Sequence, residues 1–204
     1  EHTFAFSEHK EVWEYASPFT ANEIKQIDSY CRDRFIELVP NLNSFGHFER
    51  WLCHDNYKNL AECPNGFTRK EPYMVREHGT TLKPNQVSLD FINSLYSEYL
   101  PHFSSKKFNV GMDEPWELGQ GWSREKIQKH GKDKIYLEHL NGIRKLVESH
   151  GKKMQFWADV LLENPKNAKL LPPSASPVIW GYEPDHPFNE QSAAISACGL
   201  QYYL

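Results

Sequence analysis

Apolar positions along the chain fall into two spacings that take turns, one helical and one of short continuous runs. Thr20 and Glu23 make a capping box with Thr20 as N-cap, and Ile24, Ile27 and Cys31 follow at helical spacing. Residues 21–34 are therefore predicted to form an amphipathic helix. Phe35-Ile36-Glu37-Leu38-Val39-Pro40 comes next, an apolar run stopped by proline, and is expected to be a buried strand. Residues 41–85 carry Asn, Gly, Pro and charges with scattered aromatics, which reads as a long rim loop. A loop of that length in a compact domain is usually functional. Val87, Phe91, Leu95 and Tyr99 mark the next helix, and Phe108–Met112 the next strand. Ser123 is expected to cap a short helix. A longer helix runs from about Asp133 to His150 on the stripe Tyr136, Leu140, Ile143 and Val147, with Gly151 as its C′ residue. Met154–Ala158 and Pro177–Tyr182 read as strands, and a last helix from Asn189 to Cys198 ends at Gly199.

Both ends of the chain are apolar as well. Glu1–Phe6 and Leu200–Leu204 read as strands, so residues 1–204 are expected to be a single segment of a longer protein, truncated at both ends. Strands alternate with helices, and most strands are apolar without polar alternation. That is the pattern of a parallel sheet covered by helices. Six strands would suit a doubly wound sheet, but the chain has no G-x-G-x-x-G and no phosphate loop. Polar and aromatic residues gather instead just after strand ends, at His47, Asp113-Glu114, Asp159 and Glu183. In a βα-barrel the active site is built there, at the carboxyl face.

Composition narrows the partners. The 204 residues carry 25% charged and 39% hydrophobic side chains with a net charge of −4. This fits a soluble globular domain and argues against a nucleic-acid binder, which would want a basic face. No apolar run approaches the roughly 20 residues needed to span a bilayer. Four cysteines, Cys31, Cys53, Cys63 and Cys198, show no C-x-x-C or finger spacing, so a structural zinc site is not expected. Cys53 and Cys63 could bridge; free thiols in a reducing compartment are the plainer reading, and with no signal peptide in view they suggest the cytoplasm. The ten histidines, among them His54, His78, His102 and His186, show no ligand spacing and are expected at the surface.

The sharpest local feature is Asn109-Val110-Gly111-Met112-Asp113-Glu114-Pro115-Trp116, an apolar strand that ends in two adjacent carboxylates. Neighbouring side chains on a regular strand point to opposite faces, so both can face one pocket only where the strand is ending. Two carboxylates in one pocket push their pKa values apart, which suits acid catalysis at a glycosidic bond. Two solvated acids on a turn would give the same letters. Trp157 and Trp180 sit on strands, where a Trp is more often core than a sugar platform. His47 divides evenly between a pocket edge and a structural hydrogen bond, and Asp159 and Glu183 between hydroxyl binding and salt bridges.

Phe108–Trp116 resembles the strand-four motif of glycoside hydrolase family 20, the β-N-acetylhexosaminidases, whose core is an Asp-Glu pair after a Gly. Val39-Pro40-Asn41-Leu42-Asn43-Ser44-Phe45-Gly46-His47 is similar to the family's strand-three motif, Pro-Glu-x-Asp-x-x-Gly-His. The Phe-Gly-His ending and the Gly-Met-Asp-Glu variant resemble the hexosaminidase D-like branch most. Gln155–Asp159 and Ile179–Glu183 are similar to later strands whose Trp residues wall the sugar pocket. The resemblance implies a (β/α)8 TIM-type barrel, of which this chain covers roughly strands two to seven. It also implies an N-acetylhexosaminide substrate cleaved with retention, without metal or cofactor. Glu114 would be the acid and then the base. Asp113 would hold the N–H of the 2-acetamido group, whose carbonyl oxygen attacks. His47, Trp116, Trp157, Asp159, Trp180, Glu183 and Tyr203 are the expected substrate contacts. Asn41 and Asn43 replace the motif's acids, Asn109 a frequent His and Met112 a frequent Gly, departures that bear on substrate preference more than on reaction type. Two rivals remain: a retaining glycosidase with Asp159 or Glu183 as nucleophile, and a carbohydrate-binding barrel without catalysis.

Overall fold

The computed structural model describes residues 3–204. Its centre is a parallel sheet of Lys107–Asn109 (β3), Lys153–Trp157 (β4) and Ala175–Val178 (β5), preceded in sequence by an antiparallel hairpin of Phe67–Lys70 (β1) and Tyr73–Arg76 (β2). Single bridges widen this sheet on both sides. Leu42 and Ser44 donate their N–H groups to Asn109 and Val110, and Asn109 donates to Pro40. On the far edge Tyr203 bridges Val178 in parallel. The order is therefore 40–44, β3, β4, β5 and the Tyr203 segment, the parallel sheet that the alternating pattern predicts and a portion of the (β/α)8 barrel that the family resemblance implies. Helices Gln86–Tyr99 and Lys132–Ser149 cover its outer face. Phe108, Val110, Met154 and Phe156 are buried beneath them. Each such side chain contributes on the order of 1.5–3 kcal/mol of transfer free energy.

Several expectations hold in detail. Thr20 accepts from the Glu23 N–H while the Glu23 carboxylate accepts from Thr20, and the capped helix runs Ala21–Arg32. The stripe Tyr136, Leu140, Ile143 and Val147 is buried along Lys132–Ser149. On Gln86–Tyr99 the buried stripe is rotated from the expected one. Val87 points outward, and Ser88, Ile92, Leu95, Tyr96 and Tyr99 are buried, a regular i, i+4, i+7, i+8 series.

The run Phe35–Pro40 is not a buried strand. Phe35 is fully exposed and left-handed at φ 59°. Its N–H bonds the Arg32 carbonyl and the Ile36 N–H the Cys31 carbonyl, so Phe35 is the C′ residue of a Schellman motif without glycine. Sheet pairing starts only at Pro40, and the first four residues of the expected rim loop belong to the sheet. The rest of that loop holds two single-turn helices, Glu49–Leu52 and Asp55–Lys58, and the β1–β2 hairpin. Glu1 and His2 of the expected first strand lie outside the described residues; Phe4 bridges Phe19. The strand expected at Pro177 begins two residues earlier, at Ala175. His139 is buried, against the expectation for histidines, and gives its Nε2–H to the Ser44 carbonyl at 3.1 Å. Burial lowers its pKa to about 4. All four cysteines are free.

Candidate active site

After Asn109 the chain leaves β3 through a left-handed turn. Gly111, Met112 and Glu114 have φ of 67°, 75° and 47°. These conformations break the strict alternation of a strand, which is how two adjacent carboxylates come to face one point. They are held by specific bonds: the Met112 N–H donates to Asn43 Oδ1, and Tyr136 donates its hydroxyl to the Met112 carbonyl. Across from them His47, at φ 58°, follows Gly46. A Cβ on Gly46 would collide with the Asp113 carbonyl, so the two loops meet this closely only over glycine.

His47 Nε2 lies 3.1 Å from Asp113 Oδ2 and 3.3 Å from Glu114 Oε2. The hydrogen bond to Asp113 raises the imidazole pKa to about 9, against a smaller opposing effect of burial. At neutral pH His47 is therefore a cation held between Asp113 and Glu114. Asn43 Nδ2 donates to the other Asp113 oxygen at 2.6 Å. The Asn43 orientation is fixed because its Oδ1 accepts from the Phe45 and Met112 N–H groups. Asp159 supports the pair from the next strand end, where its Oδ2 accepts the Glu114 N–H at 3.1 Å. Burial, assisted by the Asp113 and Glu114 charges, raises Asp159 to about 6 although that N–H bond opposes the rise. Asp159 Oδ1 is buried with no partner.

His47, Asp113, Glu114, Trp157, Trp180 and Tyr182 line a cavity of about 470 Å3. A second cavity of about 310 Å3 adjoins it at Glu114, bounded by Arg69, Pro115, Trp116, Lys132, Asp159, Val160, Glu163 and Trp180. The structure thus gathers seven of the nine expected residues, Asp113, Glu114, His47, Trp116, Trp157, Asp159 and Trp180, around one pair of joined cavities. Glu183 is not brought to the carboxylates. It is exposed and lines a further cavity of about 490 Å3, which borders the other two at Asp159, Glu163, Trp180 and Tyr182. Tyr203 is also elsewhere: its ring sits 5.6 Å from Lys107 Nζ, at the start of β3, whereas the carboxylates follow the end of that strand. Its backbone bridges Val178 at the carboxyl end of β5, so it is the side chain that turns away.

Three lining or supporting residues escape the sequence reading. Asn43 carries a signal, its place in the strand-three motif, but reads there only as a lost acid. Tyr182 follows Trp180 by two residues on the same strand end, its ring 5.4 Å from the indole. Arg69 reaches the site from the β1–β2 hairpin and has no sequence signal. His47, Asp113 and Glu114 present ligand atoms within 4.8 Å of one another and are the residues that could hold a metal. An ion there would have to displace the imidazole proton that both carboxylates stabilise.

Adjacent acids at the carboxyl end of a barrel strand, bracketed by a cationic His and Trp walls, define a site of the glycoside-hydrolase class. Residues 3–199 match the glycosyl hydrolase family 20 catalytic domain, and the chain belongs to that family. It is 25% identical to hexosaminidase D from Bos taurus over 195 residues, 91% of this chain and 53% of that protein. Chitobiase from Flavobacterium johnsoniae superposes with a TM-score of 0.75 at 21% identity, over 98% of this chain and 30% of that one. An exo β-N-acetylglucosaminidase from Vibrio harveyi, solved in complex with N-acetylglucosamine, gives 0.70 at 16% identity, over 92% and 28%. The chain spans about half the length of the bovine relative, and its fold is that of part of the barrel.

Proposed function

We propose that this chain carries the catalytic acids of an exo-acting β-N-acetylhexosaminidase that removes terminal β-linked GlcNAc or GalNAc with retention. The observation that carries the reading is the Asp113-Glu114 pair converging on His47 Nε2 in a Trp-walled cavity. Glu114 gives its proton to the leaving glycosidic oxygen and takes one back from water in the second step. The 2-acetamido carbonyl oxygen is the nucleophile. It closes on the anomeric carbon as the aglycone leaves, forming a cyclic oxazolinium ion that water then opens. Positive charge develops at the acetamide nitrogen, and Asp113 receives that N–H. Asn43 and His47 each occupy one lone-pair direction on Asp113, and an ionised carboxylate has about four. Acceptor capacity is left for the substrate, and its orientation is set before binding. Trp157 and Trp180 offer apolar faces for the ring and the acetamide methyl.

The test compares rates on an aryl 2-acetamido-2-deoxy-β-glucoside and on the matching plain glucoside. Substrate assistance makes the plain glucoside nearly inert. Asp113→Asn keeps the shape but loses the charge, and should lower turnover on the acetamido substrate about 10²-fold or more, the usual loss for one charge-stabilising contact in the transition state. Similar rates on the two glycosides would overturn the reading and direct the search to a protein nucleophile at Asp159.

A further inference from the structure

We propose that the 310 Å3 cavity beside Glu114 is a leaving-group subsite selective for an anionic sugar, with Arg69 as the residue that reads the negative charge. The inference rests on the glycosidase reading above and adds to it the class of aglycone. Four observations carry it. Glu114, the group assigned to protonate the leaving oxygen, lines this cavity as well as the one that holds Asp113, His47 and Trp157, so the two meet at the proton donor. The smaller cavity accommodates a single sugar ring. Trp116 forms one wall, and the Arg69 guanidinium lies over that indole at 5.0 Å from the ring centroid. A guanidinium within cation–π range of an indole is restrained beside it while its N–H groups remain available to a ligand.

The fourth observation is the state of the two cations. Lys132 is paired with Glu163 at 3.4 Å. Arg69 has no carboxylate partner among the described residues; its only bond runs from Nε to the Glu71 carbonyl at 2.9 Å. Both terminal nitrogens of a guanidinium that lines a cavity are thus left without a protein acceptor. The acids facing the cavity have other partners. Glu114 Oε2 lies 3.3 Å from His47 Nε2, Glu163 is paired with Lys132, and Asp159 Oδ2 accepts the Glu114 N–H. A carboxylate or sulfate on the leaving sugar would accept from the free Arg69 edge, a charge-assisted and geometrically matched contact.

The experiment measures kcat/KM of the intact protein on β-GlcNAc disaccharides whose reducing sugar is glucose, glucuronic acid or 6-sulfoglucose. The acid-to-neutral ratio should favour the anionic sugars by about tenfold, the lower end for a charged hydrogen bond in a half-exposed site. Arg69→Met should bring that ratio to about one, and Arg69→Lys should retain part of it. A ratio within one variant is unaffected by the fraction of protein that folds. A preference for the uronide alone or for the sulfate alone identifies which anion the subsite takes. A wild-type ratio near one, or a preference untouched by Arg69→Met, overturns the assignment while leaving the hydrolase reading in place. No turnover of any of the three, nor of the aryl substrate, would overturn both.

Discussion

Two sets of acids lie within a few residues of each other and are treated in opposite ways. Glu62 and Glu117 are completely buried, and each is saturated with donors. Glu117 accepts from both the N–H and the hydroxyl of Thr80 and of Thr81, at 2.6–2.9 Å. Glu62 accepts from Gly119, Gly121 and Ser123, including the Ser123 hydroxyl at 2.7 Å. Together they lace the segment before Leu82 to the loop that follows β3, and Thr80 in turn accepts the Phe48 N–H next to His47. Asp113, Glu114 and Asp159 are placed by that lacing but keep acceptor positions free. A saturated anion fixes a loop and does nothing further; an anion left short of donors keeps capacity for a ligand, at some cost in stability.

Breaking the contrast at its reactive end should give the largest effect. Glu114→Gln removes the proton and little else, so turnover of a disaccharide with a poor leaving group should fall roughly 10²–10⁴-fold. The glycosylation step on an activated aryl glycoside needs little protonation and should fall much less. Equal losses in that step would show that Glu114 is not the acid.

At the saturated end, Glu117→Ala strands four donors in a buried site. It should cost about 3–5 kcal/mol of stability, measured from the denaturant midpoint. Glu117→Gln, which keeps part of the acceptor set, should cost less. A change below about 1 kcal/mol for the alanine variant would mean that the clamp is not what holds these loops.

Asn43→Asp sharpens the comparison by adding an acid where the structure supplies a donor. A carboxylate 2.6 Å from Asp113 would compete with it for one proton. The acid limb of the kcat/KM profile should move to higher pH, with about a tenfold loss at neutral pH for each unit it moves past the assay pH. Asn43→Ala should lower turnover without moving that limb. A shared shift in both variants would argue against a positioning role for the amide.

The smallest effect is a gain. Asp159 is raised to about 6 when folded, so its contribution to stability is present below its unfolded value near 4 and is lost as pH rises through 6. Asp159→Asn removes that loss. The variant should be more stable than the parent by about 1–2 kcal/mol at pH 7–8, with the advantage vanishing towards pH 4. His47, raised to about 9, likewise stabilises below about 6.5 and loses that contribution as pH passes 9, but it is common to both proteins. Equal thermal midpoints for parent and variant across that range would contradict the buried-acid assignment.

Local chemistry made much of this legible from the chain alone. The capping box at Thr20 and Glu23, the stripe on Lys132–Ser149 and the alternation of apolar runs with helices all depend on neighbours within a few residues. The order of strand-end residues followed as well, because a parallel barrel puts every strand's carboxyl end on one face. Tertiary structure decided the rest. Phe35–Val39 has the letters of a strand, yet a Schellman turn without glycine used Phe35 to end a helix, and no local pattern announces a left-handed Phe. Tyr203 and Glu183 stood in the right order, but the Tyr203 ring turns towards Lys107 and Glu183 faces the cavity beyond Trp180. Arg69 reached the cavity wall on a hairpin, and Asn43 reached Asp113 through a bond spanning 70 residues of sequence. Spacing in the chain carries backbone-local forces; which acid is saturated and which is left open depends on donors that only folding brings near.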